Sequence, residues 1–222
     1  MVSILLSILF LMAIGTFFIY GFFQIFTNFN PSNRKIVKDM AILKEEIKEW
    51  RNTLVPWNKE EMELLSFSQT DQQIKKGLSK SAKGIFTSIY HEPLIAYNYK
   101  QYISTGSTNA LLLAHTSQHE FAFRIKNKEV FINIDKEYAG VLKEDGCFYG
   151  GEKERLIARI NKEESAKMYP ILVGGKAAGN LVNREKASVP NPRVFKFVAP
   201  LEAAEEKIFI SIAVLEMVTE SF

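Results

Sequence analysis

The first stretch of the chain contains no charged side chain. From Val2 to Phe26 every residue is apolar, small or mildly polar, and the first charged residue is Arg34. At 1.5 Å rise per residue, a helix over this stretch is about 37 Å long, and the hydrocarbon core of a bilayer is about 30 Å thick. We therefore predict a transmembrane anchor over residues 1–29.

A cleaved secretory signal is the alternative interpretation of this segment. Ala13 and Gly15 offer small residues at a cleavage spacing, but no Lys or Arg precedes the apolar run, and the run continues to Phe26. Signal peptides begin with a positively charged region and end their apolar stretch near the cleavage point. The pattern favours a helix that stays attached.

The cations next to the anchor predict its orientation. Arg34, Lys35 and Lys38 follow the apolar run directly. Positive charge next to a membrane helix favours the cytoplasmic side. The single Cys147 cannot form an internal disulfide, which agrees with a reducing compartment. We expect a single-pass membrane protein whose globular domain is cytoplasmic.

The pattern of residues 30–56 predicts an amphipathic helix, because apolar residues recur every three or four positions between charged ones. Pro31 breaks the first helix, and Ser32 or Asn33 can cap the second. The spacing is that of a heptad seam, which packs either on the protein's own domain or on other copies in a short coiled coil. The second alternative predicts a homo-oligomer. The seam residues are Ile36, Met40, Leu43, Ile47, Trp50 and Leu54.

The remaining residues, 57–222, predict a β-rich globular domain. Asn58 and Glu61 form a capping box before one short helix. Beyond it, short segments rich in aromatic and β-branched residues alternate with turn signals, as strands do. Predicted strands cover 83–89, 93–103, 110–115, 120–125 and 130–134, with hairpin turns at Asn127-Lys128, Glu144-Asp145-Gly146 and Gly174-Gly175.

The end of the chain predicts one buried helix over residues 200–219. It begins with good helix formers and becomes apolar on nearly all sides, which is typical of a helix inside the core. The fold class is therefore mainly β with helices: a transmembrane helix, an amphipathic stalk helix, and an antiparallel, barrel-like domain with a buried C-terminal helix.

Residues 121–222 resemble the tubby-like superfamily, which includes scramblases and LURP-one-related proteins. The resemblance rests on the I-D-x-x-x-A-G-x-L run at 134–142, the E-R-L-I-A-R-I strand at 154–160, the V-G-G-K-A-A-G-N-L hairpin at 173–181, and Arg193 with Phe195. It implies a strand barrel that encloses a central helix, and a non-enzymatic binding role that in some members concerns membrane lipids.

Residues 84–142 are also similar to the small β-barrel domain of the mitochondrial ligase family called GIDE. The similarity lies in E-P-L-I-A-Y-N-Y-K-Q-Y and in the longer run that begins at His119. The cysteine and histidine pairs of a RING domain are absent from the sequence, so this resemblance implies a barrel and no ligase activity.

Charge and motif content exclude several functions. A net charge of +3 is too small for a typical nucleic-acid binder. His115 and His119 lack a third ligand for zinc, and Gly174-Gly175-Lys176 lacks the spacing of a P-loop. Cys147 has no neighbouring base that could activate it as a nucleophile. We expect no metal and no cofactor.

Four lysines form the densest basic stretch: Lys75, Lys76, Lys80 and Lys83. A solvated loop is the simplest interpretation, but a loop at the inner leaflet would attract anionic lipid by about 1 kcal/mol per lysine. We predict a non-enzymatic, membrane-anchored binding or scaffold protein with an anionic lipid or a protein as partner. The alternative is a membrane-associated hydrolase or transferase whose cleft gathers His91, Glu92, His115 and His119.

Overall fold

A computed structural model describes residues 2–29, 31–77, 79–151, 154–163 and 165–221. Its helices flank and fill a single antiparallel sheet. Two short 3-10 turns, Glu49–Thr53 and Arg184–Lys186, supplement them. The helices are α1 (Val2–Phe29), α2 (Asn33–Ile47), α3 (Lys59–Leu64) and α4 (Ala203–Thr219).

Helix α1 stands apart from the core. Its stretch Leu9–Phe29 is the one helix among the described residues that is long and apolar enough to cross a membrane, and none of it is buried against the rest of the chain. The hydroxyl of Thr16 donates to the carbonyls of Met12 and Ala13, at 3.0 and 2.9 Å. A polar group satisfied inside its own helix tolerates a hydrocarbon environment.

In the part of the chain that the structure describes, twelve strands form the sheet, and each strand pairs with its neighbour in the sequence. This meander follows from short hairpin turns: Asn127 and Lys128, like Gly174 and Gly175, have the positive φ angles of tight hairpins. The strands are β1 (Leu65–Lys75), β2 (Ser81–Ser88), β3 (Pro93–Gln101), β4 (Ala110–His115), β5 (Glu120–Lys126), β6 (Glu129–Ile134), β7 (Glu137–Leu142), β8 (Cys147–Gly150), β9 (Arg155–Ile160), β10 (Met168–Val173), β11 (Lys176–Val182) and β12 (Phe195–Val198).

The sheet curls into a nearly closed barrel. Its first strand meets the segment before its last strand, where Ser66 and Arg193 form an antiparallel bridge. On either side of this bridge, Phe67 N donates to Pro192 O at 3.1 Å, and Val194 N donates to Leu65 O at 2.8 Å. Such closure removes most of the exposed sheet edge.

Helix α4 fills the barrel. Every residue from Phe209 to Val218 is buried, which explains why this helix is apolar on all sides. Its Phe209 ring lies 4.9 Å from the ring of Phe195. Gly179 of β11 permits this approach, because a Cβ there would lie 2.8 Å from the Phe209 ring and 2.7 Å from the carbonyl oxygen of Phe197.

The predicted fold class is confirmed by this architecture. The observed strands β2 to β6 match the five predicted segments within one or two residues, and helix α4 is buried as predicted. The stalk helix is shorter than predicted, since α2 ends at Ile47 and a 3-10 turn follows. The side chain of Asn58 caps α3 by accepting a hydrogen bond from Glu61 N at 2.9 Å.

Candidate functional site

One end of the barrel lies where α1 leaves it, and we call it the anchor-proximal end. Ile103 N, in the β3–β4 loop, donates to Asn28 O at 3.0 Å, near the end of α1. Gln101 N donates to Lys80 O at 2.7 Å, which holds the β1–β2 hairpin beside that loop. The lysine-rich hairpin predicted from the sequence therefore lies next to the end of the anchor helix.

Helix α2 and this hairpin enclose a cavity of about 200 Å³, which we call the lysine groove. The hairpin contributes Lys75 and Lys80, and β2 contributes Lys83. Lys100 of β3 completes the set of basic side chains, and Asn98 lies on the same strand. Lys76 follows Lys75 directly in the chain, and its side chain is exposed.

Most of this positive charge has no internal counter-ion. Among the described residues, no carboxylate lies within ion-pair distance of Lys75, Lys76 or Lys80. Lys83 lies 5.6 Å above the ring of Trp50, which is an attractive cation–π contact but leaves the charge in place. The groove can therefore attract an anion without first breaking an ion pair at these lysines.

Asp39 anchors the floor of the groove. Its side chain is 5% exposed, and it accepts a hydrogen bond from Tyr102 at 2.7 Å and ion pairs from Lys100 at 3.0 Å and Lys35 at 3.4 Å. Burial alone would raise the pKa of Asp39, but the hydrogen bonds from Tyr102 and Lys100 outweigh it, so this pKa lies below its ordinary value. The same burial and hydrogen bond raise the pKa of Tyr102.

Helix α2 is held over β3, β4 and β5 by further polar contacts. Asn98 donates to Leu43 O at 3.2 Å and to the Glu46 carboxylate at 2.8 Å, and Lys44 forms an ion pair with Glu120. These contacts, together with those of Asp39, fix the second half of α2 as a wall of the lysine groove.

The predicted oligomerisation seam also lies on this interface. Its members Leu43 and Ile47 are buried against Tyr102, Leu111 and Leu113 of the barrel, and Ile36, Met40 and Trp50 pack at the edge of the same cluster. Leu54 is buried in a neighbouring cluster with Ile85 and Ala96. The seam face of the stalk helix therefore packs on the chain's own sheet, whereas the coiled-coil hypothesis predicts that it packs on other copies.

Charge is distributed unevenly between the two ends of the barrel. Anchor-proximal loops carry more cations than carboxylates, including Lys126, Lys128, Arg184 and Lys186 in addition to the hairpin lysines. At the opposite, distal end, acidic residues predominate, among them Glu202, Glu205 and Glu206 at the start of α4 and Glu60, Glu61 and Glu63 on α3. This polarity favours an anionic surface at the anchor-proximal end.

The three histidines occupy separate surroundings. His115 is 2% exposed, and burial lowers its pKa to about 4; its Nε2 lies 3.9 Å from the Glu120 carboxylate. His119 Nδ1 lies 2.8 Å from Asp135, which also accepts from Lys207 at 3.0 Å. His91 lies in the β2–β3 turn, where its backbone N–H donates to Ser88 O.

The remaining candidates from the sequence have structural roles. Cys147 is buried at the start of β8, and its N–H donates to the Asp145 carboxylate at 2.9 Å. Gly174 and Gly175 form the tight β10–β11 turn. No group of three or more His, Cys, Asp or Glu side chains among the described residues has a geometry that could hold a metal ion.

Sequence reasoning missed the contact between Asp39 and Tyr102. The two residues are far apart in the chain, and only the docking of α2 on β3 brings them together. One signal was available, because Asp39 falls on the same helix face as Ile36 and Leu43. An acidic residue on an apolar seam indicates a buried polar partner.

The class of the protein is defined by this architecture: a nearly closed, antiparallel twelve-stranded barrel around a C-terminal helix, joined to one N-terminal helix of membrane-spanning length and composition. Comparisons with models of known families, with curated proteins and with solved structures found no match to this chain.

Proposed function

We propose that the chain is a single-pass, membrane-anchored, non-enzymatic binding protein. In this proposal the anchor holds the barrel at the cytoplasmic face, and the lysine groove binds anionic lipid headgroups of the same leaflet. One observation carries it: the unpaired lysines of the β1–β2 hairpin lie at the anchor-proximal end, where Ile103 contacts Asn28.

The strength of this proposed attraction depends on the distance of each lysine from the membrane. A lysine near an anionic leaflet contributes about 1 kcal/mol, and this attraction falls off within a Debye length of about 8 Å at physiological ionic strength. The β3–β4 loop contacts the end of α1, which supports our proposal that the neighbouring hairpin faces the membrane. Lys75, Lys76 and Lys80 together are then expected to strengthen binding by about 3 kcal/mol, or roughly a hundredfold.

We also propose a distant relationship to the tubby-like superfamily. The barrel encloses α4, as the sequence resemblance implied, and this arrangement supports the proposal. The anchor precedes the barrel in this chain, whereas the membrane helix of scramblases lies at the other end, so the proposed relationship concerns the fold and a binding role. No residue set is transferred from those families to this chain.

Vesicle flotation tests the lipid interaction. We expect a fragment from Pro31 to retain the core, because none of the α1 side chains that the structure describes belongs to the hydrophobic clusters. We expect it to float with vesicles that contain anionic lipid, to remain unbound with zwitterionic vesicles, and to be released at an ionic strength of about 1 M, where the Debye length is only about 3 Å.

Matched charge variants locate the interaction. Replacement of Lys75, Lys76 and Lys80 by Gln should weaken binding to anionic vesicles by roughly a hundredfold. The control replaces Lys59, Lys136 and Lys176, which are exposed residues outside the anchor-proximal end, and removes the same charge. Equal loss of binding in both variants would show that only net charge matters and would contradict the proposed site.

A further inference from the structure

A second cavity, of about 300 Å³, lies inside the mouth of the barrel. Its floor is apolar and consists of Ile125, Leu142 and Ile160 from the barrel wall and Leu215 from α4. Thr108 lies on its rim, in the β3–β4 loop that also contacts the end of α1. The cavity therefore belongs to the anchor-proximal end, but it is separate from the lysine groove.

One buried carboxylate faces this apolar cavity. Glu216 lines it and is 4% exposed, and it is the sole ionisable residue in the buried run of α4 from Phe209 to Val218. Burial raises its pKa. Replacement of a buried ion pair by an apolar side chain is often neutral or stabilising, so this carboxylate is not accounted for by stability alone.

The partner of Glu216 is a side chain that reaches solvent, so an incoming cation can take its place and keep the carboxylate paired. Lys162, in the loop after β9, forms an ion pair with Glu216, but its side chain is 46% exposed. A lysine has a long flexible stem and a strongly hydrated ammonium group, so Lys162 can turn into solvent. Glu216, by contrast, is held inside the barrel by α4.

The other charges at the rim have nearer partners. Lys128 forms an ion pair with Glu144 at 2.7 Å, and Lys143 lies 4.6 Å above the ring of Tyr149. These lysines line the cavity, but each already has an attractive partner at the rim. When Lys162 turns out, Glu216 is the group inside the cavity with which an incoming cation can pair.

The end of α4 adds further negative potential. Glu220 follows one turn after Glu216, and its Oε2 is buried without a hydrogen-bond partner in the described part of the chain. Burial and the neighbouring Glu216 raise the pKa of Glu220 to about 7. The last turn of α4 contains no basic residue, so the negative end of the helix dipole is not compensated within the helix.

We propose that this cavity binds a cationic amphiphile: a primary ammonium group takes the place of Lys162 at Glu216, and its alkyl chain covers the apolar floor. The volume lies at the lower end of the range for small-molecule sites, which suits a single chain. The ligand class is an alkylammonium, and the anchor-proximal position gives it access from the bilayer surface. This inference does not depend on the lysine groove.

Calorimetric titration of the full chain in lipid nanodiscs tests the proposal, with empty nanodiscs as the reference for partitioning into lipid. The probe is octylammonium, and octanoate and ethylammonium are the matched probes of opposite charge and shorter chain. We expect saturable binding of octylammonium at one site, weaker binding of ethylammonium, and no displacement of octylammonium by octanoate.

Two isosteric variants compare the contribution of the buried carboxylate to binding with that of an exposed one. Glu216→Gln should weaken octylammonium binding by at least about tenfold, which corresponds to about 1.4 kcal/mol. Glu163→Gln, which removes an exposed carboxylate that does not line the cavity, should leave binding unchanged. Thermal unfolding of each variant shows whether it is folded.

Each remaining outcome decides against the proposal. Unchanged binding by a folded Glu216→Gln variant would show that the carboxylate is not the recognition group. Stronger binding of octanoate than of octylammonium would show that the cavity prefers an anion. This comparison uses the natural protein and does not depend on the folding of a variant. Equal binding of ethylammonium and octylammonium would show that the apolar floor does not contribute to the affinity.

Discussion

Replacement of Ile47 by Ala tests whether the stalk helix packs on its own barrel. Ile47, the last residue of α2, is completely buried against Leu111 and Leu113 of β4. Truncation of a buried Ile to Ala removes its transfer free energy and leaves a cavity, and such changes cost about 2–5 kcal/mol. We expect a loss of unfolding free energy in the middle of this range, because the site lies at the edge of the core, where neighbouring side chains can partly fill the cavity.

Urea unfolding of the fragment from Pro31, followed by circular dichroism, measures this loss. If the seam packs on the barrel, the unfolding midpoint falls by the same amount at every protein concentration, because folding is then unimolecular. If the seam joins copies, the midpoint depends on protein concentration. The matched control is Val37→Ala on the same helix, where the side chain is 71% exposed and the expected change is within about 0.5 kcal/mol.

Two results would refute the reasoning. A loss below about 0.5 kcal/mol for Ile47→Ala, equal to that of the exposed control, would show that the contact with the barrel contributes nothing. A midpoint that rises with protein concentration and loses this dependence in the variant would restore the coiled-coil interpretation of the seam.

Three further predictions concern the barrel and its titrating groups. Gly179→Ala should destabilise the protein by about 1–3 kcal/mol in thermal or urea unfolding, since its Cβ would overlap the Phe209 ring. His115 has a pKa that is lower in the folded protein than in the unfolded chain, so stability should fall as the pH drops from about 6.5 to about 4, and His115→Gln should remove up to about 3 kcal/mol of that fall. Glu220 has a raised pKa, so its contribution is present at low pH and is lost as the pH rises from about 4.5 to about 7; Glu220→Gln should stabilise the protein above pH 7 by about 1–2 kcal/mol after solvent screening. A variant whose pH profile of unfolding free energy parallels that of the natural protein would contradict either assignment.

The opposite signs of these two pH effects have a common physical origin. Burial penalises the charged form of each group, which is the protonated form of His115 and the ionised form of Glu220. The histidine lies between the barrel wall and the residues that follow α2, and the carboxylate lies at the mouth of the barrel. Measurements on the two variants therefore report separately on the docking of the stalk and on the packing of α4.

The elements of the fold could be predicted because each carries a local signal. The anchor has a long uncharged run, α4 has an apolar pattern on all sides, and the hairpin turns contain residues that accept a positive φ. Strand β1 carried a weaker signal: its second half is exposed and polar, in the run S-Q-T-D-Q-Q, and this pattern is not typical of a buried strand. Its assignment depends on pairing with β2.

The candidate sites were predictable only in part. Lys75, Lys76, Lys80 and Lys83 stand out in the sequence because they are close together in the chain. The groove that three of them line requires α2 as its opposite wall, and no local pattern indicates which strands α2 covers. The cavity that Glu216 lines was missed altogether, since Lys162 and Glu216 belong to separate elements.

The sequence by itself determined the length and apolar composition of the first helix, the β-rich class of the domain and the burial of the C-terminal helix. These properties depend on composition and periodicity, which are local. The tertiary structure alone decided three others: the closure of the barrel at Ser66 and Arg193, the docking of the stalk seam on its own sheet, and the position of the lysine hairpin beside the anchor. Each of these depends on contacts between residues far apart in the chain, whose free energy no local pattern encodes.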